Sequence, residues 1–177
     1  MKKSRLVNIG FICLMSLSCI TVNAQKEGKS FSAGFGLEGG LPMGNANKSY
    51  KFSSGITIRF AYHAGPGLVT LTTGGVGWLP KSGLGNSTKA SLQIPVKAGY
   101  KYVFHKPFFV MGELGYSSFK IYYDNNGTVA SNSAGGFTYA PTVGVTFNAF
   151  EAGIKYEATS VSGGTFSNVG LRLGFNF

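Results

Sequence analysis

The sequence predicts an all-β fold: a closed, eight-stranded antiparallel β-barrel that crosses a membrane and keeps a polar, filled lumen. Three observations predict it. After residue 29, apolar residues alternate with small or polar ones at a period of two along most of the chain, as half-buried strands do. Charged residues are 12 % of the chain, against roughly 25 % in typical soluble domains, whereas aromatics reach 14 %. The segments joining the alternating stretches are by turns tight and long, as in barrels with turns at one end and loops at the other.

The first element is not a strand. Lys2, Lys3 and Arg5 precede the apolar run "VNIGFICLMSLSCITV", and Val22 and Ala24 stand as small residues before Gln25. That is an export signal over residues 1–24, too short and wrongly flanked to span a bilayer. The residues before Cys13 and Cys19 form no good lipoprotein box. Cleavage leaves residues 25–177 as a single domain without cysteine, hence without disulfide or thiolate chemistry. Three of the 16 basic residues leave with the signal, and the remaining chain is basic at +7 against its six acids.

Strand one is read at about 30–42. It contains "FSAGFGLEGG", where Gly34, Gly36 and Gly39 match the G-x-G-x-x-G spacing of a dinucleotide-binding turn. Such a turn needs a helix to follow, and polar "MGNANKS" follows instead, so the match is accidental. Phe31, Ala33, Phe35, Leu37 and Leu41 form one face; Ser32, Gly34, Gly36, Glu38 and Gly40 form the other. Strands two and three are read at 50–63 and 67–79, the latter blurred by Gly74, Gly75 and Gly77. Strand four, 89–104, alternates longest, with Leu92, Ile94, Val96 and Ala98 against Gln93, Pro95, Lys97 and Gly99. Strand five, 107–121, changes face near Phe119, which predicts a bulge or a strand end. Strands six, seven and eight are read at 135–148, 149–160 and 165–177. Pro95 and Pro141 each remove a ladder bond and predict local bulges. "HAGPG", "HKP" and "FNA" are the tight turns; "MGNANKS", "PKSGLGNSTKA", "DNNGTVASNSAG" and "SVSGG" are the polar, mostly longer loops.

Alternation alone leaves open which face points outward. A soluble binding barrel would put the apolar face inside. Small residues crowd the polar face, as the narrow interior of eight strands requires. Aromatics recur near strand ends: Tyr102, Phe104, Phe108, Phe147, Phe150, Phe175 and Phe177 towards the turns, and Phe52, Trp78, Tyr139 and Tyr156 towards the loops. These read as two interfacial girdles. Nine charges share the polar face: Glu38, Arg59, Lys97, Lys101, Glu113, Glu151, Lys155, Glu157 and Arg172. Facing lipid, basic residues would cost ~2–4 kcal/mol each at the midplane, and the nine together on the order of 10–20 kcal/mol, comparable with total stability. They are therefore placed in the lumen, where opposite signs pair.

The closing "VGLRLGFNF", ending on Phe175 and Phe177, resembles the C-terminal strand of bacterial outer-membrane barrels. The whole chain from about residue 29 is similar to the small eight-stranded outer-membrane β-barrel domain proteins, in the manner of OmpX and the OmpA barrel. "FSAGFGLEGGLPMG" resembles members from Bacteroidetes-type bacteria. The resemblance implies an outer-membrane location, the barrel assembly machinery as a partner during biogenesis through Phe175 and Phe177, and a structural or surface-interaction role through the loops. Lys48, Lys51, Lys81, Lys89 and Lys120 cluster near the loop rim as candidate lipopolysaccharide contacts, Lys being a point charge for phosphate. An unidentified surface ligand is a further expected partner, and no cofactor or metal is expected.

Catalysis has little to build on. His63 and His105 fall at turn ends, far from Asp124 in a predicted loop, whereas barrel enzymes acting on lipid A place such groups towards the outer leaflet. The alternatives to a loop-presenting barrel are a small channel, a lipid-binding barrel or, less favoured, a lipid A-modifying hydrolase. Nucleic acid is not an expected partner, since no exposed basic helix or base-stacking platform is present.

Overall fold

The computed structural model describes residues 30–81, 89–125 and 128–177, with side chains of 123–129 left aside. The export signal, most of the 80–90 connection and the Asp124 side chain lie outside the described residues. Eight strands run in chain order: β1 Phe31–Met43, β2 Tyr50–Ala64, β3 Gly67–Pro80, β4 Ser91–His105, β5 Phe108–Asn125, β6 Thr128–Phe147, β7 Phe150–Val161 and β8 Gly164–Asn176, with one helical turn, α1 Ala46–Ser49, between β1 and β2. Each pairs antiparallel with the next, and β1 pairs with β8, so the sheet closes on itself. Closure removes every sheet edge within the barrel wall.

The interior and exterior are exchanged relative to a soluble protein. Lys97, Glu113 and Arg172 are each 1 % exposed, whereas Leu37, Ile56, Leu114, Val143 and Ile154 are between 57 % and 59 % exposed. Only a surrounding apolar solvent makes that arrangement favourable.

The turns follow local chemistry. Gly65, in the β2–β3 turn, has φ +63°, and Asn148, in the β6–β7 turn, has φ +51°. Glycine carries no Cβ penalty there, and asparagine is among the few other residues that tolerate it.

Four expectations need correction. The register of β4 with β5 runs unshifted through Pro95, and that of β5 with β6 runs unshifted through Pro141, so neither proline makes a bulge. Each instead leaves a gap in its other ladder, between Thr73↔Val96 and Val76↔Gln93 for Pro95, and between Tyr139↔Ala158 and Thr142↔Lys155 for Pro141. The missing N–H thus costs pairing on one side only. Strand five does not change face: Phe119 is fully buried on the same inward parity as Glu113 and Ser117. The supposed loop "DNNGTVASNSAG" is mostly hairpin, with Asp124↔Val129 and Asn125↔Thr128 still in register. Trp78 does not belong to a girdle. It is 1 % exposed and points into the lumen.

A bulge does occur where none was expected, between Tyr50 and Phe52. Simple alternation from inward Ser53 would turn Tyr50 outward; the extra residue re-aims it inward, where it is 3 % exposed.

Candidate functional site

The lumen is the most highly organised part of the molecule. All nine charged residues of the polar face enter it and are buried. Seven of them sit in register with a glycine on a neighbouring strand: Arg59 with Gly34, Glu38 with Gly55, Lys97 with Gly115, Glu113 with Gly99, Glu151 with Gly174, Lys155 with Gly170 and Arg172 with Gly153. That pairing decides how long ionic side chains fit inside so narrow a barrel: each crosses the space its neighbour leaves empty.

Two carboxylates organise the network. Towards the turn end, Glu151 accepts from Arg59 Nη1 at 2.6 Å, Arg172 Nη1 at 2.9 Å and Lys101 Nζ at 2.5 Å. Towards the loop end, Glu157 accepts from Lys97 at 2.5 Å, Lys155 at 3.0 Å and Gln93 Nε2 at 2.8 Å. Glu38 joins the two groups, pairing with Lys155 and lying 3.7 Å from Arg172 Nε. Hydroxyls complete the circuit. Thr57 donates to Glu38 at 2.9 Å, and Thr72 donates to Glu113 at 2.5 Å while accepting from Arg59 Nε at 3.1 Å. Five cations face four carboxylates, so the lumen holds a near-balanced set whose members are mutually hydrogen-bonded, the condition under which buried charge is tolerated.

The ends of this layer are sealed differently. At the turn end, Phe109 is buried with the Lys101 ammonium 4.2 Å from its ring centroid. At the loop end, Tyr50, Trp78, Phe119 and Phe166 form a compact aromatic layer, with Phe119 and Phe166 stacked at 4.7 Å and Trp78 edge-on to Phe166 at 5.7 Å. Trp78 Nε1 donates to Gln93 Oε1 at 2.9 Å, tying the aromatic layer to the ionic one. Sequence reasoning missed this layer, although the signal was present in the parity of Trp78 and Phe119 along their strands. Between the layers, the void lined by Glu38, Ser53, Lys155, Glu157 and Asn168 measures about 10 Å³, room for about one water.

Glycines set the tolerance of this packing. A Cβ built on Gly36 would stand 2.6 Å from the Arg172 guanidinium carbon and displace that group from Glu151. Gly39, on the outer wall, would meet only the mobile tip of the Phe52 ring, at 3.3 Å. Gly36→Ala is therefore expected to destabilise the barrel by about 1–3 kcal/mol, with Gly39→Ala near neutral. Urea unfolding in lipid vesicles measures both, and equal effects would contradict the assignment.

The remaining predicted residues fall elsewhere. Lys48 lies in α1, Lys51 in β2, Lys81 just beyond β3, Lys89 just before β4 and Lys120 in β5, so all five occupy one arc of the loop rim. Backbone bonds draw the arc together, from Lys81 N–H to Ser49 O at 2.9 Å and from Lys89 N–H to Tyr122 O at 3.0 Å. Among the described side chains, every carboxylate is in the lumen. The chain end closes the wall: Phe177 exchanges backbone bonds with Ala33 at 2.7 and 3.0 Å, and Phe175 packs on Phe35 and Phe150. His63 and His105 are exposed at the turn end. No group of three His, Cys, Asp or Glu suited to a metal occurs among the described residues.

Comparison with known proteins agrees with this architecture. The profile of the outer membrane protein beta-barrel domain matches residues 11–177. The fold is similar to that of the N-terminal β-barrel domain of Pseudomonas aeruginosa OprF, at TM-score 0.63 and 14 % identity, covering 82 % of this chain and 97 % of that one. It is likewise similar to Ail, the attachment invasion locus protein of Yersinia pestis, at TM-score 0.58 and 17 % identity, covering 84 % and 97 %. Neisserial surface protein A gives TM-score 0.57 at 11 % identity, covering 84 % and 97 %. None of the curated protein sequences matches the chain.

Proposed function

Because this chain belongs to the outer membrane protein beta-barrel domain family, we propose that it is a non-enzymatic, plugged barrel that serves as a rigid mount for its loop rim. It resides in the bacterial outer membrane. In this reading residues 1–24 direct export, and the closing strand with Phe175 and Phe177 is what the barrel assembly machinery engages. The rim arc of Lys48, Lys51, Lys81, Lys89 and Lys120 then binds phosphates of lipopolysaccharide or another polyanionic surface ligand.

The observation that carries this reading is charge segregation: the described side-chain carboxylates lie in the lumen, while Lys48, Lys51, Lys81 and Lys120 stand at the loop rim. Ail of Yersinia pestis has been seen in complex with the heparin analogue sucrose octasulfate, which supports polyanion binding by a barrel of this fold. A channel reading finds less support, since the lumen void of about 10 Å³ lies between ionic and aromatic layers.

The test is a variant carrying Lys48→Gln, Lys51→Gln, Lys81→Gln and Lys120→Gln in lipid nanodiscs free of lipopolysaccharide. At about 1 kcal/mol per lysine, binding of phosphorylated core oligosaccharide should weaken on the order of 10²–10³-fold, and wild-type binding should fall steeply with salt. Unchanged, salt-independent binding would refute the proposal.

A further inference from the structure

A groove on the outer wall stands apart from both lumen and loop rim. Two adjoining hollows, of about 440 and 700 Å³, share Val110, Val143 and Ile154 as common walls and so form one furrow across β5, β6 and β7. Both volumes lie in the range of dedicated ligand sites. The furrow exists because side chains are missing: outward Gly112 faces Pro141 in register, and outward Ala152 is small where its strand neighbours Phe150 and Ile154 are large. A Cβ built on Gly112 meets nothing within 4 Å.

The furrow has a direction. It begins at the turn rim, where Phe104 and Phe108 stack at 6.4 Å, and climbs towards Tyr100 and Tyr156. The turn joining those two phenylalanines carries exposed Lys106, next to His105. The turn at the rim end of this otherwise apolar furrow thus carries a cation. Turns face the periplasm in this family's architecture, so the mouth of the furrow lies in the inner, phospholipid leaflet.

We propose that the furrow is a specific site for one phospholipid, with an acyl chain along Gly112 and Pro141 and the anionic phosphodiester at Lys106. Every outward face meets acyl chains, so apolar contact alone gives no selectivity in lipid. Enclosure and charge do. A chain in the furrow touches protein on several sides instead of one, and its headgroup meets a positive rim. A second copy of the barrel does not fit this shape, because its convex wall would leave the furrow empty.

The experiment is native mass spectrometry of the folded protein in detergent, titrated with palmitoyl-oleoyl phosphatidylglycerol. The wild type should show one saturating adduct. Gly112→Phe projects from a position where a Cβ meets nothing within 4 Å and should lower the bound fraction by about tenfold or more, corresponding to about 1.4 kcal/mol. Ala152→Leu gives a second reading from the opposite wall. Lys106→Gln should weaken phosphatidylglycerol binding several-fold and remove its advantage over phosphatidylcholine. Retention of heat-modifiable migration shows that each variant is folded. Adducts that accumulate without saturation, wild-type binding in folded Gly112→Phe, or a dimer with no lipid adduct would each overturn the proposal.

Discussion

Glu151→Gln is expected to lower the stability of the folded barrel by about 3–5 kcal/mol, the usual consequence of removing one member of a buried ionic cluster. The magnitude follows from how many partners the residue serves. Three cations, Arg59, Lys101 and Arg172, converge on its two oxygens at 2.5 to 2.9 Å. Glutamine has nearly the same volume, so packing is preserved and only charge is lost. Three buried cations would then share the remaining carboxylates, with Glu113 as the nearest alternative for Arg59 at 3.7 Å. Trp78 is the sole tryptophan, so its fluorescence reports unfolding in urea without added label.

A second substitution separates charge from a general loss of fit. Lys101 is the most exposed of the three cations, and its stem already runs towards the Phe109 ring. Lys101→Met in the Glu151→Gln background removes the excess charge while keeping an apolar side chain of similar length. The double variant should recover at least about 1 kcal/mol relative to additivity, as expected for residues in one network. Strict additivity would mean that the two groups do not act through each other.

How far the sequence disclosed this molecule depends on which signal was read. The period of two placed Glu38, Lys97 and Lys155 on one wall face because a strand alternates whatever solvent surrounds it. The inside-out choice rested on the cost of charge in lipid, which is large enough to outweigh ambiguity in any one strand. Residue type misled where it was allowed to override parity. Trp78 looked like an interfacial anchor, yet it lies two residues from inward Val76 and six from inward Thr72. Phe119 looked like a change of face because an apolar residue stood where the polar row was expected.

Other features were illegible for a different reason. The hairpin continuing to Asn125 and Thr128 is rich in Asn, Ser and Gly, whose local preference is for turns; backbone pairing between β5 and β6 overrides it. The partners inside the lumen could not be paired from sequence, because strand stagger decides which side chains meet across the barrel. The glycine in register with seven of the nine charges is visible only once the register is known.

Trp78→Ala should cost about 3–5 kcal/mol, the loss expected for truncating a large buried aromatic. Trp78→Phe isolates a smaller part of it. The phenyl ring can still pack against Tyr50 and Phe166, but Gln93 Oε1 loses its indole donor inside the lumen. An acceptor buried without a partner costs about 1–3 kcal/mol, and Trp78→Phe should fall in that range. Circular dichroism and heat-modifiable migration replace fluorescence here, since both variants lack the only tryptophan. Conductance then distinguishes the two seals. The aromatic layer lies loopward of Gln93, while Glu157, Lys97 and Lys155 remain bonded beneath it. Trp78→Ala should therefore form no discrete channel in planar bilayers despite its lost stability. Stable channels in that variant would show that the aromatic layer alone closes the lumen and that the ionic layer passes ions once uncovered.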